Sequence, residues 1–246
     1  MPSSSLKGKT ALVTGGGTGI GWGIARALAD EGCSVAISGR RPEVLRQAAA
    51  KFQGEPAILV QECDVADRQS VNRLFAWAAA ELGPIDILVN SAGVNIKNRM
   101  MGNMPPEEWD RVLQINATGV YNCMYSVLPQ MRERRGGLII NISSISGKRA
   151  AALGGVAYNA SKFAVAALGV SVANEEIANN IRVTNIFPGE VDTPILENRP
   201  SPVSAERRAK MLLPEDLGLI VVAICKLPPR AHVPELVIKP TVAEYV

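Results

Sequence analysis

The sequence predicts an α/β fold built on a doubly wound parallel sheet of about seven strands, with helices on both faces. Short apolar runs rich in valine and isoleucine carry no polar alternation, which is typical of strands buried on both faces. Segments with helical periodicity separate these runs, as crossovers between parallel strands require. The chain has 246 residues, of which 47% are hydrophobic, so a single domain of this kind is expected to occupy 1–246.

In the first half of the chain, apolar runs end at turn residues and are followed by helical patterns. Pro42 suits the first turn of a helix, and Asp67 can cap the N-terminus of another. The predicted elements of this half are, in order, strand 10–14, helix 19–31, strand 34–38, helix 42–52, strand 57–61, helix 67–81 and strand 85–89.

In the second half, the helices and the loops lengthen. Pro105-Pro106-Glu107 favours the start of a long helix, because proline is tolerated in the first turn and a carboxylate is stabilised there. The long loops follow the fourth, fifth and sixth strands, at the edge of the sheet where ligands of this fold class bind. In the last of these loops, prolines and charges predict a mobile substrate lid over 190–213. The predicted elements are helix 105–132, strand 138–142, helix 157–178, strand 181–187, helix 215–226 and strand 235–238.

Composition argues against several classes of protein. The net charge of +3 is spread among acidic residues and only 4% of residues are aromatic, so no nucleic-acid partner is expected. His232 is the single histidine, which argues against a Ser-His-Asp hydrolase or a His-ligated metal site, and no metal is expected. No apolar stretch approaches 18 residues and the opening residues lack a signal-peptide core, so a cytoplasmic protein with no membrane partner is expected. The cysteines are widely spaced and are expected to be reduced: Cys33, Cys63, Cys123 and Cys225.

A glycine-rich turn between the first strand and the first helix predicts a Rossmann-type dinucleotide site. The turn reads Thr14-Gly15-Gly16-Gly17-Thr18-Gly19-Ile20-Gly21, which is TGxxxGxG and not GxGxxG. Gly15 permits the tight turn, Gly19 lets the backbone approach a pyrophosphate, and Gly21 allows close helix packing. The helix N-terminus adds free N–H groups and a partial positive charge. The residues expected at the cofactor are Gly15, Gly17, Thr18, Gly19 and Ile20.

The end of the second strand favours NADP over NAD. An NAD site usually carries an acidic residue about 20 residues after the glycines, where it holds the ribose hydroxyls. Here Ser38 and Gly39 stand at that place, and Arg40 and Arg41 follow. Because a guanidinium group suits a 2′-phosphate, Ser38, Arg40 and Arg41 are expected to bind NADP(H). The alternative is that both arginines are solvated residues ahead of a helix.

Tyr158 and Lys162 form a candidate acid–base pair. Residues four apart lie on one face of a helix, so the two side chains are expected to be neighbours. A cation about 4 Å away can lower the tyrosine pKa from about 10 toward neutrality, which suits proton transfer. Fourteen residues upstream, serine hydroxyls follow the fifth strand and can donate to a substrate oxygen as its charge develops. Ser143 and Ser146 are rivals to Ser144 for that role.

Taken in order, these motifs resemble those of the short-chain dehydrogenase/reductase family, in its compact single-domain branch, over nearly the whole chain. The resemblance implies that Asn116 holds a water linking Lys162 to solvent, although a polar residue that satisfies a helix kink would look the same. It also implies a homo-oligomer, a tetramer or a dimer. The matching motifs are Thr14 to Gly21, Asp64-Val65, Asn90-Ser91-Ala92-Gly93, Asn116, Ser144, Tyr158 with Lys162, and Pro188-Gly189.

The resemblance assigns further residues to the cofactor. Asp64 and Val65 would flank the adenine, and Asn90, Ala92 and Gly93 would line the floor of the cofactor site. The residues expected at the nicotinamide end are Pro188, Gly189, Val191 and Thr193, together with Tyr158 and Lys162.

The leading hypothesis is an NADP(H)-dependent oxidoreductase that transfers a hydride between the nicotinamide and a carbonyl or alcohol of a small molecule. In it, Tyr158 is the acid/base, assisted by Lys162, Ser144 and Asn116. One alternative is the same chemistry with NAD(H), and another is a dinucleotide-sensing regulator without turnover. A third is a sugar-nucleotide epimerase, which would require a larger C-terminal domain. Four basic residues in the cleft walls could meet an anionic substrate: Lys97, Arg99, Lys148 and Arg149.

Overall fold

The computed structural model describes residues 5–244. The first four residues and the last two lie outside the described residues, and the interpretation of the N-terminus rests partly on those first four. The seven strands are β1 Thr10–Thr14, β2 Ser34–Gly39, β3 Leu59–Glu62, β4 Ile87–Asn90, β5 Gly137–Ile142, β6 Ile181–Pro188 and β7 Glu235–Ile238. All pair in parallel, in the order β3-β2-β1-β4-β5-β6-β7. The winding direction reverses between β1 and β4, which confirms the predicted doubly wound sheet and puts its ligand crevice at that point.

Eight helices connect the strands in the described part of the chain, and they cover both faces of the sheet. The helices are α1 Gly19–Asp30, α2 Pro42–Ala49, α3 Arg68–Glu81, α4 Pro106–Leu113, α5 Gly119–Arg134, α6 Val156–Glu175, α7 Ala205–Arg208 and α8 Pro214–Cys225. One face packs against α1, α2 and α8, and the other packs against α3, α5 and α6. Asp67 caps α3 by accepting from the N–H groups of Gln69 and Ser70, as predicted.

Burial on both faces explains why the strands show no polar alternation. Neighbouring residues of a strand point to opposite faces, so Leu12 and Leu88 belong to the core under α3 and α5. Val13 and Val89, one position further along, belong to the core under α1 and α8. All four side chains are fully buried.

The long helix predicted over 105–132 is present and runs from Pro106 to Arg134, but it contains one π-helical turn that was not predicted. A π-turn, Gln114–Thr118, separates α4 from α5, and the N–H of Gly119 bonds to the carbonyl of Gln114. A Cβ atom at Gly119 would lie 2.6 Å from Cγ2 of Val65, so α5 packs tightly on the loop after β3. The wide turn places Asn116 inside the fold, where it is fully buried.

The helix α6 is more apolar than the sequence interpretation allowed. Its mean hydropathy reaches 1.3 over an 18-residue window, which by length and composition alone would suffice to cross a membrane. In the structure, however, Ser161 and Lys162 on this helix are buried, and Asn185 of β6 donates to the carbonyl of Ala166 at 3.1 Å. The helix therefore packs on the sheet as a core helix does.

Candidate active site

Three asparagines form a ladder across the carboxyl end of the sheet. Asn90, Asn141 and Asn185 share one register on β4, β5 and β6, and all three are buried. Nδ2 of Asn90 donates to Oδ1 of Asn141 at 2.9 Å, and Nδ2 of Asn141 donates to Oδ1 of Asn185 at 3.0 Å. Sequence reasoning missed Asn141 and Asn185, although a polar residue inside an apolar strand is a usable sign of such a network.

The glycine turn packs directly against the loop after β4. Gly15 has φ +67°, and a Cβ atom there would lie 2.7 Å from Cα of Ala92, so the position needs glycine for both conformation and space. A Cβ atom at Gly21 would lie 2.3 Å from the carbonyl oxygen of Gly15, which confirms the predicted close approach of the helix. Oγ1 of Thr14 accepts the N–H groups of Ser91 and Ala92, each at 3.3 Å. These contacts join the two sides of the crevice.

The residues beside this turn fit a bound dinucleotide. Oγ of Ser38 and Oδ1 of Asn90 are buried and have no hydrogen-bond partner among residues 5–244. A buried polar atom without a partner is rare in folded proteins and points to a ligand group or an ordered water. Arg40 and Arg41 are exposed next to Ser38, and neither makes an ion pair within the described range. The free hydroxyl and the two unpaired cations suit a phosphorylated ribose.

The outer parts of the predicted cofactor site lie at the same edge of the sheet. Oδ1 of Asp64 accepts from the N–H of Ala66 at 3.0 Å, and Val65 is buried. Gly189, just after β6, donates its N–H to Ile238 at 2.7 Å. A Cβ atom at Gly19 would lie 3.1 Å from Cγ2 of Thr193, so the residues after β6 touch the glycine turn.

The candidate acid–base residues converge beside Gly93. Nζ of Lys162 lies 5.5 Å from the ring centroid of Tyr158 and donates to the carbonyl of Ile142 at 2.8 Å. The side chain of Ser144 hydrogen-bonds to Tyr158. A Cβ atom built on Gly93 would lie 3.5 Å from Oδ1 of Asn116 and 3.6 Å from Nζ of Lys162. The structure therefore brings together all four side chains that were predicted to act jointly.

The neighbouring serines have other partners. Ser143 is buried, and its hydroxyl donates to the carbonyl of Lys162 at 3.0 Å, which fixes α6 to β5. Ser146 uses its backbone N–H to donate to Oγ of Ser144 at 3.1 Å. Ser144 is thus the serine of the three that contacts Tyr158, and Ser146 helps to orient it.

Asn116 lies on the π-turn, and its side chain bonds to the loop after β4 and to α6. Its Oδ1 accepts from the N–H of Val94 at 2.8 Å, and its Nδ2 donates to the carbonyl of Val94 at 2.9 Å. Nδ2 also donates to Oγ of Ser161 at 3.0 Å. These contacts use both amide protons on partners outside the π-turn, so the helix-kink interpretation is not confirmed, and the water-holding role stays a prediction.

The pKa shifts of Tyr158 and Lys162 differ from those expected from the sequence. Burial raises the pKa of Tyr158 above its ordinary value, and the hydrogen bond from Ser144 and the charge of Arg99 oppose that rise. Burial also lowers the pKa of Lys162 to about 8. The ammonium group lies over the tyrosine ring and is itself desolvated, so Lys162 does not bring the tyrosine pKa toward neutrality in this structure.

Of the four basic residues in the cleft walls, Arg99 alone is buried. Lys148 makes an ion pair with Glu235 and lies 4.4 Å from the ring centroid of Phe187. Lys97 and Arg149 are exposed. Arg99 is 5% exposed, and it is the one of these four residues whose charge acts on Tyr158.

The segment 190–213 is closed at its base. Val191 and Leu212 form a parallel bridge, in which the N–H of Asp192 donates to the carbonyl of Leu212 at 2.8 Å. Glu190 accepts ion pairs from Arg199 at 2.6 Å and from Arg207 at 2.9 Å. The segment contains a 3₁₀ turn, Pro194–Asn198, and the helix α7, neither of which was predicted.

Comparison with known sequences gives consistent matches. A family model described as short chain dehydrogenase matches residues 9–203. The glycine betaine reductase ATRR of Emericella nidulans is 35% identical in an alignment 246 positions long, which covers 98% of this chain but only 19% of that protein. An acetoacetyl-CoA reductase of Shinella zoogloeoides is 38% identical over 199 residues, covering 81% of this chain and 80% of that protein.

Solved structures with the same fold carry either nicotinamide cofactor. The closed form of a serine dehydrogenase complexed with NADP+ has a TM-score of 0.88 and 30% identity, and the match covers 96% of both chains. A 3-ketoacyl-(acyl-carrier-protein) reductase from Brucella melitensis complexed with NADH has a TM-score of 0.86 and 29% identity, covering 96% of this chain and 99% of that one.

Proposed function

Since the chain belongs to the short-chain dehydrogenase/reductase family, we propose that it is an NADP(H)-dependent oxidoreductase acting on a carbonyl or alcohol of a small molecule. When bound, the nicotinamide would supply or accept the hydride. The observation that carries the proposal is the convergence of Tyr158, its hydrogen-bond partner Ser144, and Lys162 beside Gly93, in the loop that packs against the glycine turn.

In this proposal, the side chains of the cleft handle the proton. During reduction, Tyr158 donates its hydroxyl proton to the substrate oxygen, and during oxidation it takes that proton back. Ser144 donates a hydrogen bond to the same oxygen and stabilises the charge that develops there. Lys162, with a pKa of about 8, can exchange protons close to neutral pH. Asn116 holds the backbone of Val94 and the hydroxyl of Ser161, which keeps α6 in place.

The cofactor would lie along the carboxyl edge of the sheet. Its pyrophosphate would meet the N–H groups at the start of α1, and its 2′-phosphate would meet the free hydroxyl and the two unpaired arginines at the end of β2. The residues proposed to hold it are Gly15, Gly17, Thr18, Gly19, Ile20, Ser38, Arg40, Arg41, Asp64, Val65, Asn90, Ala92, Gly93, Tyr158, Lys162, Pro188, Gly189, Val191 and Thr193.

The test is Tyr158→Phe, assayed by NADPH absorbance against a panel of ketones, aldehydes, quinones and acyl thioesters. Loss of the hydroxyl is expected to lower kcat by about 100- to 10,000-fold and to leave NADPH affinity nearly unchanged. Tyr125→Phe, at an exposed tyrosine on α5, is the control and should behave as wild type. Normal turnover by Tyr158→Phe would contradict the assignment. A wild-type protein that binds NADPH but turns over no compound would favour the regulator alternative.

A further inference from the structure

Arg99 connects three separate loops of the cleft. Its Nε donates to the carbonyl of Ile96 in the loop after β4 at 2.7 Å, and its Nη1 donates to Leu153 in the loop after β5 at 2.8 Å. Its Nη2 donates to the carbonyl of Asn198 in the segment after β6. We call the loop after β4 the first wall of the cleft, the loop after β5 the second wall and the segment after β6 the third wall. A single guanidinium group therefore connects the three walls that surround Tyr158.

The first two walls are also joined without the guanidinium group. The N–H of Val156 donates to the carbonyl of Arg99 at 3.1 Å, and Nδ2 of Asn95 donates to Gly154 at 3.0 Å. Gly155 has φ +79°, and a Cβ atom there would lie 2.5 Å from Cβ of Arg99, so the backbones are in close contact. The third wall has no second bond of this kind to the first among the hydrogen bonds of the described residues. Among these hydrogen bonds, the one that attaches it to the other two walls is therefore that of Arg99.

Burial of the Arg99 guanidinium group carries a desolvation cost. The side chain is 5% exposed, and no carboxylate pairs with it within residues 5–244. The groups whose charges act on it are Arg199 from the segment after β6, which pairs with Glu190, and Tyr158 from α6. A buried cation is retained at such a place only where its hydrogen bonds matter, since a neutral side chain would avoid the desolvation cost.

We propose that Arg99 is a positioning residue, which fastens the segment after β6 to the other two walls and so fixes where a substrate carbonyl can lie relative to Tyr158. The proposal rests on the proposed function for the identity of the reacting group. The attachment of the segment after β6 to the other two walls is a property of the cofactor-free protein, so it can be measured without turnover.

The first experiment is hydrogen exchange on the cofactor-free protein, with Arg99→Met, Arg99→Lys and the control Arg73→Met. Arg73 is an exposed arginine on α3, outside the cleft, so its variant removes the same group without touching the walls. In both Arg99 variants, amides over 196–203 are expected to exchange faster, while those over 151–155 change less because Asn95 and Val156 still hold that wall. NADPH affinity close to wild type shows that the fold is intact. Unchanged exchange over 196–203 would overturn the proposal, whether or not the wild type is active.

The second experiment uses the best substrate of the carbonyl panel. Misplacing a substrate by about 1 Å can lower the rate by about 100-fold, so kcat/KM should fall by about 10- to 100-fold in both Arg99 variants, with kcat lowered more than KM is raised. The charge of Arg99 lowers the pKa of Tyr158, so the alkaline limb of the reduction profile should move to higher pH in Arg99→Met and stay near its place in Arg99→Lys. Equal kcat/KM in wild type and both variants would overturn the positioning role. Inactivity of the wild type would instead count against the proposed function.

Discussion

At the scale of single residues, Arg40 is expected to set the cofactor preference. Ser38 has a free buried hydroxyl, Gly39 offers no carboxylate, and the Arg40 guanidinium has no ion-pair partner in the described range. A hydrogen bond to a charged group contributes about 1.5–3 kcal/mol, so Arg40→Ala should weaken NADPH binding by roughly 10- to 150-fold and leave NADH binding nearly unchanged. The measurement is the dissociation constants of NADPH and NADH for wild type and for Arg40→Ala, with Arg46→Ala on α2 as the control. Equal loss for the two cofactors would mean that Arg40 only stabilises the turn.

Lys162 gives a prediction about stability and pH. Burial lowers its pKa from 10.5 to about 8, so at pH 7 the folded protein carries a desolvated ammonium group that the unfolded chain keeps in water. Between about pH 8 and pH 10.5, Lys162 is protonated in the unfolded chain and largely neutral in the folded protein. Because the unfolded chain binds more protons in this range, the free energy of unfolding rises with pH. Lys162→Met removes this titration, although it leaves the Ile142 carbonyl without its donor.

The measurement is urea unfolding of wild type and Lys162→Met at pH 7 and pH 9. The stability of the wild type relative to the variant should increase by about 1 kcal/mol over that interval. Comparing the two proteins at each pH cancels the other titrating groups. A constant difference would mean that the lysine titrates in the folded protein as it does in water.

Sequence reasoning located the residues that belong to motifs and missed those defined only by three-dimensional contacts. Tyr158, Lys162 and Ser144 could be proposed because a helical spacing and a serine-rich strand end are visible in one dimension. Arg99 could be placed in a cleft wall, but two of its three side-chain bonds go to loops that lie 54 and 99 positions away in the chain. The ladder through Asn141 depends on strand register, which no local pattern specifies.

At the scale of elements, the segment 190–213 is proposed to act as a lid. Its base is fixed by the Val191–Leu212 bridge, and one carboxylate, Glu190, accepts both Arg199 and Arg207. The segment can therefore move as a unit on a closed base, as substrate covers do. Bound cofactor and substrate are expected to slow amide exchange across it.

Glu190→Gln should make the lid more mobile, because the amide cannot hold two guanidinium groups by charge. Hydrogen exchange over 196–209 is expected to be faster in the variant, and the KM for the carbonyl substrate is expected to rise more than kcat falls. Glu206→Gln, in which only the exposed pair with Lys210 is lost, is the matched control. Equally slow exchange with and without ligands in the wild type would contradict a lid.

The ends and interruptions of elements were the least predictable part of the fold. Residues 105–132 have a helical pattern throughout, and a π-turn adds one residue to a turn without ending the helix. Its cause is tertiary, since the turn lets Asn116 reach Val94 and lets Gly119 approach Val65. The strands, by contrast, were recognisable from their uninterrupted apolar runs, because both faces of the sheet are covered.

At the scale of the whole molecule, an apolar surface on α5 and α6 supports the expected homo-oligomer. Tyr121 and Tyr125 stack with ring centroids 5.9 Å apart and are exposed, as are Phe163 and Val170 on α6. Exposed aromatic clusters of this kind are typical of protein interfaces. We expect a dimer or a tetramer in which this surface is covered by another copy.

Light scattering on the wild type at micromolar concentration is expected to give a mass above that of one chain. Tyr125→Glu places a charge in the proposed interface and should reduce the assembled fraction, whereas Gln47→Glu on α2 adds the same charge elsewhere and should not. A wild type that is monomeric would contradict the proposal, and so would a Tyr125→Glu variant with unchanged mass.

The asparagine ladder gives the sheet a built-in polarity. Each amide donates in the same direction, from Asn90 through Asn141 to Asn185 and on to the carbonyl of Ala166. The three side-chain dipoles therefore add, and each bond polarises the next. The negative end of this row is Oδ1 of Asn90, the one ladder oxygen without a partner among residues 5–244. The strand ends thus present a fixed, pre-polarised acceptor at the crevice, whose orientation is set by the backbone register and needs no rearrangement when a donor arrives.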